Sequence, residues 1–119
     1  MKVSEILKKG DTLLDAEINI EGVFVMKRGI GYFVESKDSR DSINEAIFID
    51  YPDLEKYLEL RVPGLAGGQY GYCDSAIIVG VLKKETLQEF EFSLINIKIF
   101  TIFKYGNPIS VLSSLKHEM

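Results

Sequence analysis

Residues 15–26 read Asp15-Ala16-Glu17-Ile18-Asn19-Ile20-Glu21-Gly22-Val23-Phe24-Val25-Met26. Ala16, Ile18, Ile20, Phe24 and Met26 share one parity, while Glu17, Asn19 and Glu21 take the other. That is the period-2 alternation of a strand with one buried face. After Gly22 the pattern changes, because Val23 and Val25 make the end of the stretch apolar on both faces. A glycine inside such a strand marks a bend or a bulge. A long bent strand near the start of the chain makes this a mainly β protein.

Working outward, Lys27-Arg28-Gly29 reads as a turn and Ile30 to Ser36 as a second strand, so the first two strands form a hairpin. On the N-terminal side the spacing predicts a short helix from Val3 over residues 3–9, with Ser4 as N-cap and Gly10 as stop. Residues 37–44 are polar and read as a loop, and Ala46 to Asp50 as a short third strand. Leu54, Tyr57 and Leu58 then stand at helical spacing behind Tyr51-Pro52-Asp53. The glycine-rich stretch from Arg61 to Gly71 is an irregular crossing. Ser75 to Lys83, with Ala76-Ile77-Ile78-Val79-Gly80-Val81-Leu82, is apolar on both faces, as expected of a strand buried on both sides. A turn over Lys84 to Glu89 leads to a long, bent fifth strand, Phe90 to Tyr105, which Gly106-Asn107-Pro108 ends. Residues 106–119 read as a tail with a helical turn that frays.

Three strands, a helix and two strands, with a glycine in the first long strand, resemble the OB-fold, a five-stranded Greek-key barrel with its helix between strands three and four. Gly22, the Leu54-to-Leu60 helix and Val79-Gly80-Val81 carry the resemblance, which spans about residues 13–105. The expectation is a single OB-like domain over residues 1–119. A small α+β domain with a meandering antiparallel sheet is the alternative.

The chain has 119 residues, a net charge of −4, one cysteine and one histidine. That length suits one ordinary domain able to bury a core without staples. A lone Cys73 cannot form an internal disulfide, the start of the chain lacks a signal-peptide pattern, and no apolar run is long enough for a membrane helix, so a cytoplasmic protein is expected. His117 lies near the end of the chain, which speaks against a histidine-based dyad or triad. No His or Cys pair has zinc-ligand spacing, and Gly67-Gly68-Gln69-Tyr70-Gly71 lacks the lysine and Ser/Thr of a phosphate-binding loop. Asp74 beside Cys73 opposes a nucleophilic thiolate. Glu17, Asn19 and Glu21 are read as a solvent face rather than a cation site. The expectations are therefore no enzyme, no cofactor and no metal.

A binding module remains. The OB resemblance implies a groove across strands two and three, framed by the 1–2 and 4–5 loops. That would place Lys27, Arg28, Tyr32, Arg40, Lys83 and Lys84 at a groove for single-stranded nucleic acid, cations meeting phosphates and rings stacking on bases. Alternation opposes it: Tyr32 and Phe33 must point to opposite faces. The acidic balance also points away from phosphate and toward a basic protein partner, steered by charge as immunity proteins and antitoxins are toward toxic nucleases. Asp38, Asp41 and Glu45 would supply the charge, with Tyr70 and Tyr72 as aromatic anchors.

Overall fold

A computed structural model describes residues 1–62, 70–85 and 89–112, with Tyr70 described through its backbone alone. Six strands form one sheet: β1 (Glu17–Lys27), β2 (Ile30–Val34), β3 (Ile47–Ile49), β4 (Tyr70–Lys84), β5 (Phe92–Lys104) and β6 (Asn107–Leu112). Two short α-helices accompany them, α1 (Val3–Lys9) and α2 (Leu54–Arg61). The strand order is β3-β2-β1-β4-β5-β6, and β3 also pairs with β5. All neighbours run antiparallel except β3 and β5, which are parallel through Ile47↔Phe92, Phe48↔Ser93 and Ile49↔Leu94. The pairings β1–β2–β3–β5–β4 therefore return to β1 in a closed ring, with β6 laid beside the last part of β5.

The alternation in β1 folds as its spacing dictates. Ile18 and Ile20 are buried and Glu17, Asn19 and Glu21 exposed, whereas beyond Gly22 four consecutive residues, Val23 to Met26, are buried. A Cβ on Gly22 would stand 2.6 Å from the carbonyl oxygen of Val34. The bare Cα of Gly22 lets the end of β2 close on β1, whose pairing starts at Val23↔Val34; the irregularity in β1 falls not at Gly22 but between Met26 and Lys27. Before that point the same edge of β1 is held by the start of the chain: the Met1 amine donates to the Asn19 carbonyl at 2.7 Å, and the Glu21 N–H donates to the Met1 carbonyl at 3.0 Å. Gly80 plays a similar part in β4, where a Cβ would lie 2.8 Å from the Ile95 carbonyl oxygen. The β4–β5 register shifts there, and Asn96 takes a positive φ of 50°.

Two apolar clusters result. The larger lies inside the ring and holds Ile20, Phe24, Phe33, Ile47, Ile78, Leu82, Leu94 and Phe100. Phe24 and Phe100 meet edge-on at 4.9 Å between centroids. Val3 and Ile6 of α1 and Leu54 and Leu58 of α2 add to it. The smaller lies on the opposite face of β1 and β2 and holds Val23, Val25, Tyr32, Val34, Ala46 and Phe90.

Several expectations need correction. The sheet has six strands rather than five, because residues 107–112 of the expected tail return along β5 after a turn at Tyr105-Gly106. Pro108 was a misleading stop signal: on an edge strand its missing N–H costs no ladder bond. The rest of the expected tail lies outside the described residues. β4 starts at Tyr70 rather than Ser75, because Asp74, a poor strand former, is matched by Lys104 at 3.0 Å. β5 starts at Phe92, and Phe90 lies ahead of it in the smaller cluster. Helix α1 starts at Val3 with no side-chain cap, and the Ser4 N–H donates to the Glu35 carboxylate at 2.9 Å instead. Finally, β4 is not fully buried on both sides: Ala76, Ile78 and Leu82 are buried, whereas Ile77, Val79 and Val81 are half-buried.

Candidate functional site

The β1–β2 turn, the segment 37–45 and the approach to β5 converge on the outer face of β1 and β2. The turn is tight, since Lys27↔Ile30 is its last pair and Arg28 takes a positive φ of 54°. Across it, Val25 pairs with Tyr32, and Tyr32 with Phe48. Phe90 stacks on Phe48 at 5.3 Å and tilts against Tyr32 at 5.6 Å. Segment 37–45 forms two short 3₁₀ turns, Lys37–Ser39 and Ile43–Glu45, and Ile43 packs onto the same cluster. Together they roof this face. An open cleft of about 320 Å³ remains at its edge, lined by Lys27, Arg28, Ile30, Tyr32, Ile43, Glu89 and Phe90.

The cationic candidates divide sharply. Lys27 reaches the Asp41 carboxylate at 3.2 Å. Lys83 pairs with Asp15, and Lys84 with Asp11 at 3.3 Å and Glu91 at 3.8 Å while lying over the Phe92 ring. Arg40 donates to the Lys37 carbonyl at 3.2 Å, closing its own 3₁₀ turn. Arg28 is exposed at the cleft. Tyr32 is 1% exposed and its hydroxyl donates to the Arg40 carbonyl at 2.5 Å, so its ring cannot stack on a base. Alternation puts Tyr32 and Phe33 on opposite faces with one of them in the core; both are interior, one in each cluster.

Asp38, Asp41 and Glu45 are exposed on the roofing segment, so the three carboxylates do lie on one element. Glu45 also borders a cleft against α1 with Ser4, Leu7, Lys8 and Glu35. Tyr72 cannot serve as an anchor. It is 5% exposed, its hydroxyl donates to the Val62 carbonyl at 3.0 Å, and its ring faces Lys104 Nζ. Burial raises its pKa, with the Glu59, Glu55 and Asp74 carboxylates adding to the rise. The Tyr70 side chain and His117 lie outside the described residues. Cys73 is half-buried beneath the roof; burial pushes its thiol up, Lys37 and Arg40 pull it down, and Asp74 adds to the rise.

Glu17 and Glu21 form the solvent face of β1, held by Lys98 at 2.6 Å and Lys2 at 3.5 Å. Among the described residues no three His, Cys, Asp or Glu side chains converge as a metal site, and no helix is long and apolar enough to cross a membrane. Phe90 and Ile43 were missed as parts of this site. Their signal was present, since Ile43 is a lone apolar residue in a polar loop, and Val23 and Val25 needed some cover. No protein-family model, no curated protein and no solved structure matches the chain.

Proposed function

We propose that this chain is a non-catalytic OB-type barrel that binds a basic protein partner, in the manner of an immunity protein or antitoxin. The closed ring of pairings, the close approach of β2 at Gly22 and the helix between β3 and β4 support the barrel. One observation carries the choice of partner. The outer face of β2 and β3, where an OB domain would lay a single strand, is filled by the protein's own Phe90 and roofing segment, and that roof presents Asp38 and Glu45 to solvent, with Asp41 exposed beside Lys27. Lys83 and Lys84, which would frame a phosphate track, are instead neutralised by Asp15, Asp11 and Glu91. Carboxylates on a preorganised surface steer encounter with a basic partner and select against anions.

The test is affinity capture from the native source with the wild-type protein and with Asp38→Lys/Glu45→Lys. A basic protein retained by the former and lost by the latter is the expected result. Equal capture by both would remove these carboxylates from the interface. A second reading, single-stranded nucleic acid, draws on the cleft that joins Arg28 to Phe90. Fluorescence anisotropy with labelled single-stranded DNA and RNA decides it: micromolar binding that weakens steeply with salt would replace the protein-partner reading.

A further inference from the structure

We propose that Tyr105 is the aromatic anchor on which an arginine of the partner lies, an inference that rests on the partner being basic. The β5–β6 hairpin opens with the pair Lys104↔Asn107, so its turn has two residues, Tyr105 and Gly106, with φ of 54° and 81°. Positive φ at both places is the tight turn in which Asn-Gly is the favoured pair. Five described residues other than glycine take a positive φ: Asp15, Arg28, Asp53, Asn96 and Tyr105. Asp and Asn tolerate this conformation through local hydrogen bonds, and Arg28 borders the cleft beside Phe90. Tyr105 has neither property. Its ring is carried on a costly backbone conformation and left 90% exposed. Among the side chains described it is the one exposed aromatic; Tyr51, Tyr57, Phe48 and Phe103 are half-buried and the others buried. Backbone strain of this kind collects at binding surfaces, and a two-residue turn offers a partner a ring with little freedom left to lose.

Charge selects what lies on the ring. Lys104, beside Tyr105, is neutralised by Asp74 at 3.0 Å. β5 ends there, so the turn extends toward Tyr72, whose ring Lys104 Nζ approaches to 5.8 Å. The end of α2 reaches the same place, because the Tyr72 hydroxyl donates to the Val62 carbonyl and α2 packs on β6. Glu59 and Glu55 of α2 act electrostatically on Tyr72. Both are exposed, and among the described residues neither has an ion pair. Lys37 and Arg40 of the roof and Lys104 of the hairpin all act on Cys73, so the roof and this tip border one stretch of β4. A cation is thus favoured on the Tyr105 ring. Arginine suits it best, because a planar guanidinium stacks on the ring and still offers N–H groups to nearby carboxylates. The molecule makes this contact once internally, with Arg61 over the Tyr57 ring at 5.6 Å. A nucleic-acid base would also stack, but it would bring phosphates toward Glu55 and Glu59.

The chain has no tryptophan, so Tyr105→Trp makes the tip a single fluorescent reporter. The probes are a decaarginine peptide, a decaglutamate peptide and oligo(dT). Decaarginine should shift the tryptophan emission, and the other two should leave it unchanged. In anisotropy titrations of labelled decaarginine, Tyr105→Phe should bind as the wild type does and Tyr105→Asn about fivefold more weakly. The asparagine variant relieves the turn, so a merely structural role for Tyr105 would not weaken binding. Equal binding by wild type and Tyr105→Asn overturns the anchor and leaves the basic-partner reading standing. No binding of decaarginine by the wild type overturns both. Quenching of the Tyr105→Trp emission by oligo(dT) overturns the anchor in favour of stacked bases.

Discussion

Tyr72 and Tyr105 show how differently one residue type is used. Tyr72 is interior and needs its proton, because the hydroxyl donates to the Val62 carbonyl. Its pKa is raised above the ordinary 10.0, first by burial and then by Glu59 and Glu55. The folded state thus holds this proton more tightly than the unfolded chain does. The resulting stability is fully present below pH 10.0 and is lost as pH rises through the folded value. Tyr72→Phe should cost about 1 kcal/mol at neutral pH and flatten the alkaline fall. Urea midpoints of both proteins from neutral to strongly alkaline pH check this; equally steep curves would assign the fall to other groups. Tyr105, 90% exposed, sits in the β5–β6 turn at φ 54°, a conformation that asparagine adopts more cheaply. Tyr105→Asn should raise stability by about 0.5–1 kcal/mol, read as an increase in melting temperature. An unchanged or lower melting temperature would show that the ring makes a compensating contact.

Elements explain what could be read in advance and what could not. The long β1, the hairpin to β2, the short β3, α2 and the inward face of β4 were legible because each is written as local periodicity. What failed was cover. The sequence of β4 does not say whether Ile77 and Val79 lie under another layer, since β-branched residues suit a strand in either case. Nor does Phe90 announce that it belongs to the outer cluster and not to the strand beginning at Phe92, because nothing in its neighbours fixes its direction. Of the candidate site, the acidic residues of segment 37–45 were legible as exposed, whereas for Tyr32 and Tyr72 the local pattern allowed an interior position without deciding it. Each satisfies its hydroxyl on a backbone carbonyl supplied by another segment, Arg40 and Val62 respectively. Two substitutions test this layering. Ile78→Asp or Ile97→Asp places an unpaired charge at a buried position, 0% and 6% exposed respectively, and should abolish the cooperative transition. A near-wild-type thermal melt in either variant would contradict the inward orientation. Phe90→Ala removes the ring that spans Tyr32 and Phe48, at a cost of about 3 kcal/mol. Chemical denaturation reads that loss, and one below about 1 kcal/mol would mean that the roof holds without Phe90.

For the molecule as a whole, β5 is the strand on which everything else depends. It pairs with β4 along its length, with β3 through Phe92 to Leu94, and with β6 through Phe100 to Lys104. Among the described elements only β6 follows it in chain order. A ribosome delivering this chain would release β1, β2 and β3 as a hairpin with a third strand attached, and later β4, all with an open edge. The ring can close only once residues 92–94 emerge to meet 47–49, some forty-five positions behind them. Such remote pairing slows folding and leaves strand edges open in the interval. A chain ended before Phe92 should therefore give no cooperative melt and should associate through those edges, which light scattering would report. A monomeric, cooperatively melting fragment would show that the ring is not the unit of folding. Timing is thus part of what the fold demands: until residues 92–94 are made, the strands ahead of them stand as an unfinished sheet, waiting for one strand.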